Sequence, residues 1–555
     1  MPGISSTLIS GSPKFTNPRL ASVAASQEPL AAWRSAVETN PKKAASEVTG
    51  DFAVGFTDAQ GRSFLAVDRF AIQTICYRVV DGQLRFAARA DELADSGTEI
   101  DPQAIFDYLY FHVIPSPRTI FKGIFRLPAG HFAWFENGRI SVEPYWIPEF
   151  EELAHPSFEG LKSEFRRLLE ASVATRLDGG KPACFLSGGT DSSTIVGMTA
   201  LASGKTPDTY SIGFDAQGYD EMEYARLAAK HFKAEHHEYY VTPDDLVQSI
   251  PKVAAHFDQP FGNSSAVPAY FCAKMARDNG VTRLLAGDGG DELFGGNSRY
   301  AKQRVFGWYD QVPSLLKKSL LEPLLATRAA GAVPLTRKAA SYVEQARVPM
   351  PERLQMYNLI MRLGPAEVLT PQMMAKVDVA LPLELQREVW QAANGTILLN
   401  QELAFDWRFT LAECDLPKVL GATSLAQIGV GFPMLDDNLL AFSQRLPSDY
   451  KLKGSQLRWF FKEALRGFLP DDILTKKKQG FGLPFGVWAN GHPALKALAS
   501  ESLHSLAERG VVRRDFVQAL LTQRLPEHPG YFGEMVWILM MLEQWLRINK
   551  SNWSV

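Results

Sequence analysis

Residues 183–198 read ACFLSGGTDSSTIVGM. The apolar run Ala183–Leu186 enters a hydroxyl-rich turn, Ser187-Gly188-Gly189-Thr190-Asp191-Ser192-Ser193, and a helical pattern opens near Ser192. Backbone N–H groups at a helix start hold anions, and the helix dipole adds roughly half a positive charge there. Two glycines allow close approach of the backbone to a phosphate, while three serines and a threonine supply donors. Asp191 repels phosphate unless a cation lies between them, so the loop predicts pyrophosphate together with a divalent metal. The lysine of G-x-x-x-x-G-K-[ST] is missing, which excludes the ordinary P-loop. Taken alone, the same residues could be no more than a turn.

A second loop lies a hundred residues further on. Residues 284–300 read LLAGDGGDELFGGNSRY: a short apolar strand, then Gly287-Asp288-Gly289-Gly290-Asp291-Glu292. From Lys181 to about Tyr300 strand-like and helical stretches alternate, the pattern of a doubly wound parallel sheet. Such a sheet brings the C-terminal ends of its strands to one edge, where two loops can meet around one ligand. Two carboxylates about 4 Å apart repel by roughly 4 kcal/mol at an effective dielectric near 20. Magnesium reverses that sign, and it prefers one or two carboxylates plus phosphate oxygens. Asp191 and Asp291 are therefore the candidate metal ligands. Acidic residues in the first turn of a helix are the bland alternative.

SGGTDSS followed by GDGGDELFGG resembles the asparagine synthetase family of ATP pyrophosphatases, which includes β-lactam synthetases and lasso-peptide cyclases. The likeness continues through YSIGF at 210–214, DEMEYA at 220–225, HHE at 236–238, DQPFGNSSAVP at 258–268 and KKKQGFGLP at 476–484. By that resemblance Ser187, Gly188, Gly189, Asp191, Ser192 and Ser193 bind the pyrophosphate of ATP. Ile212 and Gly287 line the nucleotide, and Asp191 and Asp291 hold Mg2+. Asp288 faces the acyl-adenylate or the incoming amine. Lys478 stabilises the charge that develops in the transition state, whereas Lys476 and Lys477 read as a solvated basic face. A preorganised cation at a developing oxyanion contributes several kcal/mol.

The front of the chain departs from the family. Residues 50–93 and 120–146 carry strand-like segments, with a hairpin signal at Asn137-Gly138, and resemble the rear half of the family's glutaminase domain. The nucleophilic N-terminal cysteine of that domain is missing: residue 2 is Pro and the first cysteine is Cys76. The glutamine-holding motifs are missing as well, so no glutamine hydrolysis is expected. Further on, residues 418–436 (KVLGATSLAQIGVGFPMLD) keep the family's frame but put Leu420, Gly421, Gly429 and Gly431 where charged residues stand in relatives. That change predicts a wider, less polar path to the adenylate and an amine other than channelled ammonia; drift in a structural region is the competing reading.

Composition sets outer bounds. A net charge of −3 gives no broad basic face for nucleic acid or anionic membrane. Four scattered cysteines show neither metal spacing nor a disulfide framework, which fits a reducing cytoplasm. The longest late apolar run, Met535–Leu542, falls short of the ~20 residues that span a bilayer and reads as a buried helix. The pair His236-His237 reads as structural. No signal peptide is apparent.

The expectation is an α/β chain in two parts. Residues 1–150 form a degenerate, mostly β glutaminase-like domain, with 1–49 weakly structured or partly helical (Pro29–Val37). Residues 151–555 form a ligase domain, its nucleotide sheet at about 181–300 and its helical part at about 301–550. The expected activity is ATP-dependent formation of an amide between a carboxylate and an amine, each a small molecule or peptide. A lasso-peptide or β-lactam-type cyclase, an ammonia-using asparagine synthetase and a non-catalytic nucleotide-binding scaffold are the alternatives. A homodimer or a biosynthetic partner protein is left open.

Overall fold

The computed structural model describes residues 7–216, 218–310, 313, 342, 344–393, 395, 397–477 and 482–555. Its first part is built on antiparallel pairing. Strand β1 (Thr7–Gly11) lies beside β2 (Phe52–Thr57), which is followed by β3 (Ser63–Val67). Helices α1 (Pro18–Ser26) and α2 (Pro29–Thr39) intervene between β1 and β2, so 7–49 is better ordered than its sequence led us to expect. The helix expected over Pro29–Val37 is α2, which buries Ala32, Trp33, Ala36 and Val37 onto Phe52, Val54, Phe56 and Phe64; the added order lies in β1 and α1.

Three further strands, β4 (Cys76–Val80), β5 (Gln83–Ala87) and β6 (Phe125–Arg126), form a separate small sheet, and helix α3 (Pro102–Phe111) lies between the last two in sequence. Strands β7 (His131–Glu136) and β8 (Arg139–Pro144) complete the five-stranded sheet in the order β1-β2-β3-β7-β8. Their turn is Asn137-Gly138, both at positive φ (52° and 74°), as a two-residue hairpin requires.

The second sheet is parallel throughout. Helix α4 (Phe158–Ala174) leads into β9 (Ala183–Phe185), α5 (Thr190–Ser203), β10 (Asp208–Phe214), α6 (Met222–His231), β11 (Glu235–Val241), α7 (Pro243–His256), α8 (Ala266–Asp278), β12 (Arg283–Leu285) and the short helix α9 (Gly290–Phe294). The strand order is β11-β10-β9-β12-β13, where β13 is Gly429–Gly431. The order reverses between β9 and β12, so the two glycine loops leave the sheet side by side. His236 and His237 lie in β11, where His237 stacks on Tyr210 at 4.8 Å.

The later helices enclose this sheet. α10 (Leu416–Leu425) precedes β13, and α11 (Trp459–Ala464), α12 (Asp471–Thr475), α13 (Pro493–Glu508) and α14 (Pro529–Asn549) follow it. Residues Met535–Leu546 of α14 are buried in the largest core cluster. Tyr108 Oη of α3 donates to the Ile538 carbonyl at 2.9 Å, which ties the first part of the chain to this helix. No helix among the described residues is long and apolar enough to cross a membrane.

One buried charge stands apart. Lys451 is fully buried, its ammonium lies 4.9 Å above the Phe150 ring, and Nζ has no hydrogen-bond partner. Burial pushes its pKa down to about 7, with nearby Glu152 opposing. Between that value and the ordinary lysine range the unfolded chain binds a proton that the folded one does not, so stability rises with pH across this window. Lys451→Met is expected to stabilise the protein at pH 7 by on the order of 1–3 kcal/mol. Its advantage should shrink as the pH is raised towards 10, as measured by urea denaturation across that range.

Candidate functional site

The loop after β9 closes on itself before it meets any ligand. Ser187 Oγ and Ser192 Oγ lie 3.1 Å apart, and the Ser187 amide donates to Ser192 Oγ at 3.1 Å. Gly189 is the N-cap of α5 and offers no side-chain cap, which leaves first-turn N–H groups open to an anion. Gly188 adopts φ +72°, and a Cβ there would lie 2.6 Å from the Ala225 amide of α6. Only glycine satisfies both conditions.

The two loops touch. A Cβ on Gly287 would lie 2.8 Å from the Ser192 amide, and one on Gly290 would overlap the Asp191 carboxylate. Across this contact Asp191 and Asp291 share one guanidinium, that of Arg458 at the start of α11. Burial would lower the Arg458 pKa, but Asp191 and Asp291 outweigh it and hold it above its ordinary value. Arg458 was not singled out from sequence, because LRWFFKEAL reads there as an amphipathic helix. Its φ of 55° marks it as the turn residue that precedes that helix.

Around this point lies a cavity of about 840 Å³. Ser187, Gly189, Asp191, Ser192, Ile212, Gly287, Asp288 and Asp291 all line it. Gly188 does not, since it shapes the loop from behind. Ser193 is fully buried in the first turn of α5 and does not line the cavity, so its hydroxyl is not placed to meet a pyrophosphate there. The side chain turns into the core because Ser192 and Ser193 are consecutive helical positions. Lys478 lies outside the described residues.

The cavity wall holds a second charged group. Lys418 Nζ lies 3.4 Å from Asp288 and 3.2 Å from Asp415. Burial works against the Lys418 cation, but Asp415 and Asp288 together raise its pKa. Burial pushes Asp288 up while Lys418 pulls it down. Glu292, also on the wall, is raised well above the carboxylate range by burial and by Asp291. Lys476 departs from the solvated face expected of it: Nζ pairs with Glu221 at 2.6 Å, with side chains 9% and 12% exposed. Lys477 is exposed.

Among the described residues the lining carries six carboxylates (Asp191, Glu221, Asp288, Asp291, Glu292, Asp415) and five cations (Lys418, Arg458, Lys462, Lys476, Lys477). A polyanionic nucleotide in such a balanced cavity needs added positive charge. No group of three or more His, Cys, Asp or Glu side chains that could hold a metal ion occurs among the described residues. Two carboxylates converging from two loops nevertheless fit magnesium, which completes its shell with phosphate oxygens and water.

The widening expected from the lost charges is not found at Gly421. A Cβ there would run into the Phe257 ring, which stacks on Phe261 at 4.4 Å and fills the space. Gly429 and Gly431 are the ends of β13, where Gly431 packs against Leu285. Gly421 and Gly431 serve the packing of helix and sheet edge.

Residues 164–547 match the asparagine synthase family, and residues 34–146 match the glutamine amidotransferase domain. The chain belongs to the asparagine synthase family, whose chemistry is ATP-dependent amidation. It is 26% identical over 522 residues to asparagine synthetase (glutamine-hydrolyzing) 1 of Bacillus subtilis, covering 92% of this chain and 79% of that one. It is also 26% identical over 462 residues to a putative asparagine synthetase (glutamine-hydrolyzing) of Mycobacterium tuberculosis, covering 79% of this chain and 68% of the relative. The solved glutamine phosphoribosylpyrophosphate amidotransferase of B. subtilis overlaps 50% of this chain and 60% of its own at 11% identity. Its TM-score of 0.16 is too low to carry a structural comparison.

The shared guanidinium makes a direct prediction. Arg458→Met is expected to cost about 3 kcal/mol in urea denaturation without metal, because it removes the cation between two partly buried carboxylates. Millimolar magnesium should recover part of that loss in the variant and change the wild type less.

Proposed function

We propose that this protein adenylates a carboxylate and transfers the acyl group to an amine, without hydrolysing glutamine. The observation that carries this reading is the convergence of Asp191 and Asp291 on one cation beside the open N–H groups of α5. The substrate carboxylate would attack the α-phosphorus of ATP, breaking the α–β bond and releasing pyrophosphate. The amine would then attack the acyl carbon, losing a proton as AMP departs.

In this reading Ser187, Gly189 and Ser192 orient the pyrophosphate by backbone and hydroxyl hydrogen bonds. Asp191 and Asp291 would hold magnesium, which supplies neutralisation of the negative charge on the leaving group. Asp288, kept beside Lys418, faces the acyl end. Lys478 supplies the cation for the transition state, a role that rests on its resemblance to the family's lysine loop. We divide the chain near residue 150 into a glutaminase-like part and the ligase.

Cysteine chemistry supports the absence of glutamine hydrolysis. Cys76, Cys184 and Cys272 are buried and Cys414 nearly so. Burial pushes the thiols of Cys76, Cys184 and Cys414 up to about 12, and that of Cys272 higher. A nucleophilic cysteine needs an accessible thiolate near neutral pH. The amine would therefore come from another source. An asparagine synthetase fed by free ammonia and a cyclase joining two ends of one substrate are both compatible with this chemistry.

Substrate-dependent exchange of labelled pyrophosphate into ATP tests the reading, with magnesium and a panel of aspartate, β-amino acids and carboxylate-bearing peptides. Exchange is expected with one class of acid, and no release of glutamate from glutamine. Asp291→Asn should abolish exchange while the fold is retained, and Lys478→Ala should bind ATP but form no product. Full exchange by Asp291→Asn would overturn the metal assignment, and steady glutamate release would overturn the exclusion of glutamine.

A further inference from the structure

The connection between α7 and α8, residues 257–265, is irregular yet holds no exposed residue, so its polar groups need partners from elsewhere. Those partners come from the part of the chain that matches the glutamine amidotransferase domain. Asp258 accepts from the Ala90 amide at 3.0 Å and from Arg126 at 2.7 Å. Gln259 is buried; it accepts from the Ile120 amide at 3.2 Å and donates to the Ile114 carbonyl at 3.3 Å. The Gly262 amide donates to the His112 carbonyl at 2.8 Å, and a Cβ on Gly262 would lie 2.7 Å from that oxygen. Segment 112–120 thus holds the connection through His112, Ile114 and Ile120.

The same segment holds a second element. Residues Trp407–Asp415 are π-helical and join the helix Leu398–Asp406 to α10. Widened turns of this kind are rare and concentrate at functional sites. Ser116 Oγ donates to Glu413 at 2.6 Å, while Arg408 donates to the Ser116 carbonyl at 2.7 Å and pairs with Glu413. Phe111, just ahead of the segment, stacks on Phe409 at 5.4 Å. The two elements meet again away from the segment, where Asn263 Nδ2 donates to Cys414 Sγ at 3.3 Å. Asn263 and Asp415 both line the cavity, and Asp415 pairs with Lys418, which also reaches Asp288. A closed ring of contacts therefore runs from segment 112–120 along two limbs to the cavity wall.

We propose that segment 112–120 of the glutaminase-like part is a positioning element of the ligase: through Gln259 and Glu413 it sets where Asn263 and the Asp415–Lys418–Asp288 group stand on the cavity wall. None of its own residues lines the cavity, so it acts only through these two side chains and takes no part in bond making. The glutaminase-like part would thereby serve the ligase without any cysteine chemistry of its own. That this wall meets the acid rests on the function proposed above. Displacing such groups by about 1 Å can slow a reaction by about 100-fold.

The test uses the full chain with Gln259→Met and Ser116→Ala, each of which cuts one limb of the ring, and Glu413→Gln, which keeps an acceptor for both Ser116 and Arg408. Hydrogen exchange without ligand is the first readout. Gln259→Met is expected to speed exchange in residues 408–418, on the limb it does not cut, by about fivefold. Ser116→Ala should do the same in residues 258–266. Glu413→Gln should stay within about twofold of wild type in both peptides. Pyrophosphate exchange with the acid that serves the wild type is the second readout. Both cutting variants should raise the KM for that acid about tenfold, while the affinity for ATP–magnesium, titrated alone, stays within about twofold.

Faster hydrogen exchange confined to the limb that is cut would overturn the proposal, since the segment would then not link the two. Faster exchange throughout the chain with a lowered Tm would overturn it in favour of a purely structural contact. Crossed hydrogen exchange with an unchanged KM for the acid would overturn the positioning role. If the wild type exchanges pyrophosphate with no acid, the function proposed above fails, and crossed hydrogen exchange alone then decides whether the segment sets the wall.

Discussion

The architecture depends on two loops crossing at contact distance. Gly287 and Gly290 press against Asp191 and Ser192 so closely that a single methyl group at either glycine would force them apart. That approach brings two like charges together, and a cation must accompany it at every stage. In the present state the cation is Arg458, delivered from the helical part of the chain more than 150 residues beyond the second loop. The sheet sets the spacing, the glycines permit the contact, and the guanidinium makes it electrostatically tolerable. A divalent ion between the same two carboxylates would answer the same electrostatic problem.

Two charged groups share the cavity wall. One combines open helix N–H groups, serine hydroxyls and the Asp191–Asp291 pair around Arg458. The other combines Asp288, Asp415 and the Lys418 ammonium. Groups held in place by such pairing need no rearrangement when charge develops beside them.

The core of this arrangement was legible in the sequence because it is local. Strand, glycine turn and helix follow one another within about fifteen residues, and each carries its own chemical signature, as do the Asn137-Gly138 hairpin and the buried Met535–Leu542 run. What could not be read depends on contacts remote along the chain. Arg458 looks like any arginine ahead of an amphipathic helix until its partners from residues 191 and 291 are placed around it. Lys476 looks like part of a basic run until Glu221 and Tyr224 arrive from α6. Gly421 looks like an opened path until the Phe257 ring fills it. In each case the deciding atom lies far away in sequence, where periodicity and propensity carry no information. Helix α1 was hidden for a different reason, since it buries only Leu20 and so displays no period.

The position of β13 has a consequence for how this protein is made. The outer neighbour of β12 is supplied by Gly429–Gly431, about 145 residues later, so the parallel sheet is not finished when its nucleotide loops have been synthesised. During translation both glycine loops would emerge while β12 still presents an unpaired edge, and that edge must wait for the helical region to be made. Closing so long an interval carries an entropic cost that slows folding. The nascent chain therefore spends a vulnerable period with its phosphate-binding edge half built. For the same reason, a fragment ending near residue 300 would retain both glycine loops and still lack the strand that completes their sheet.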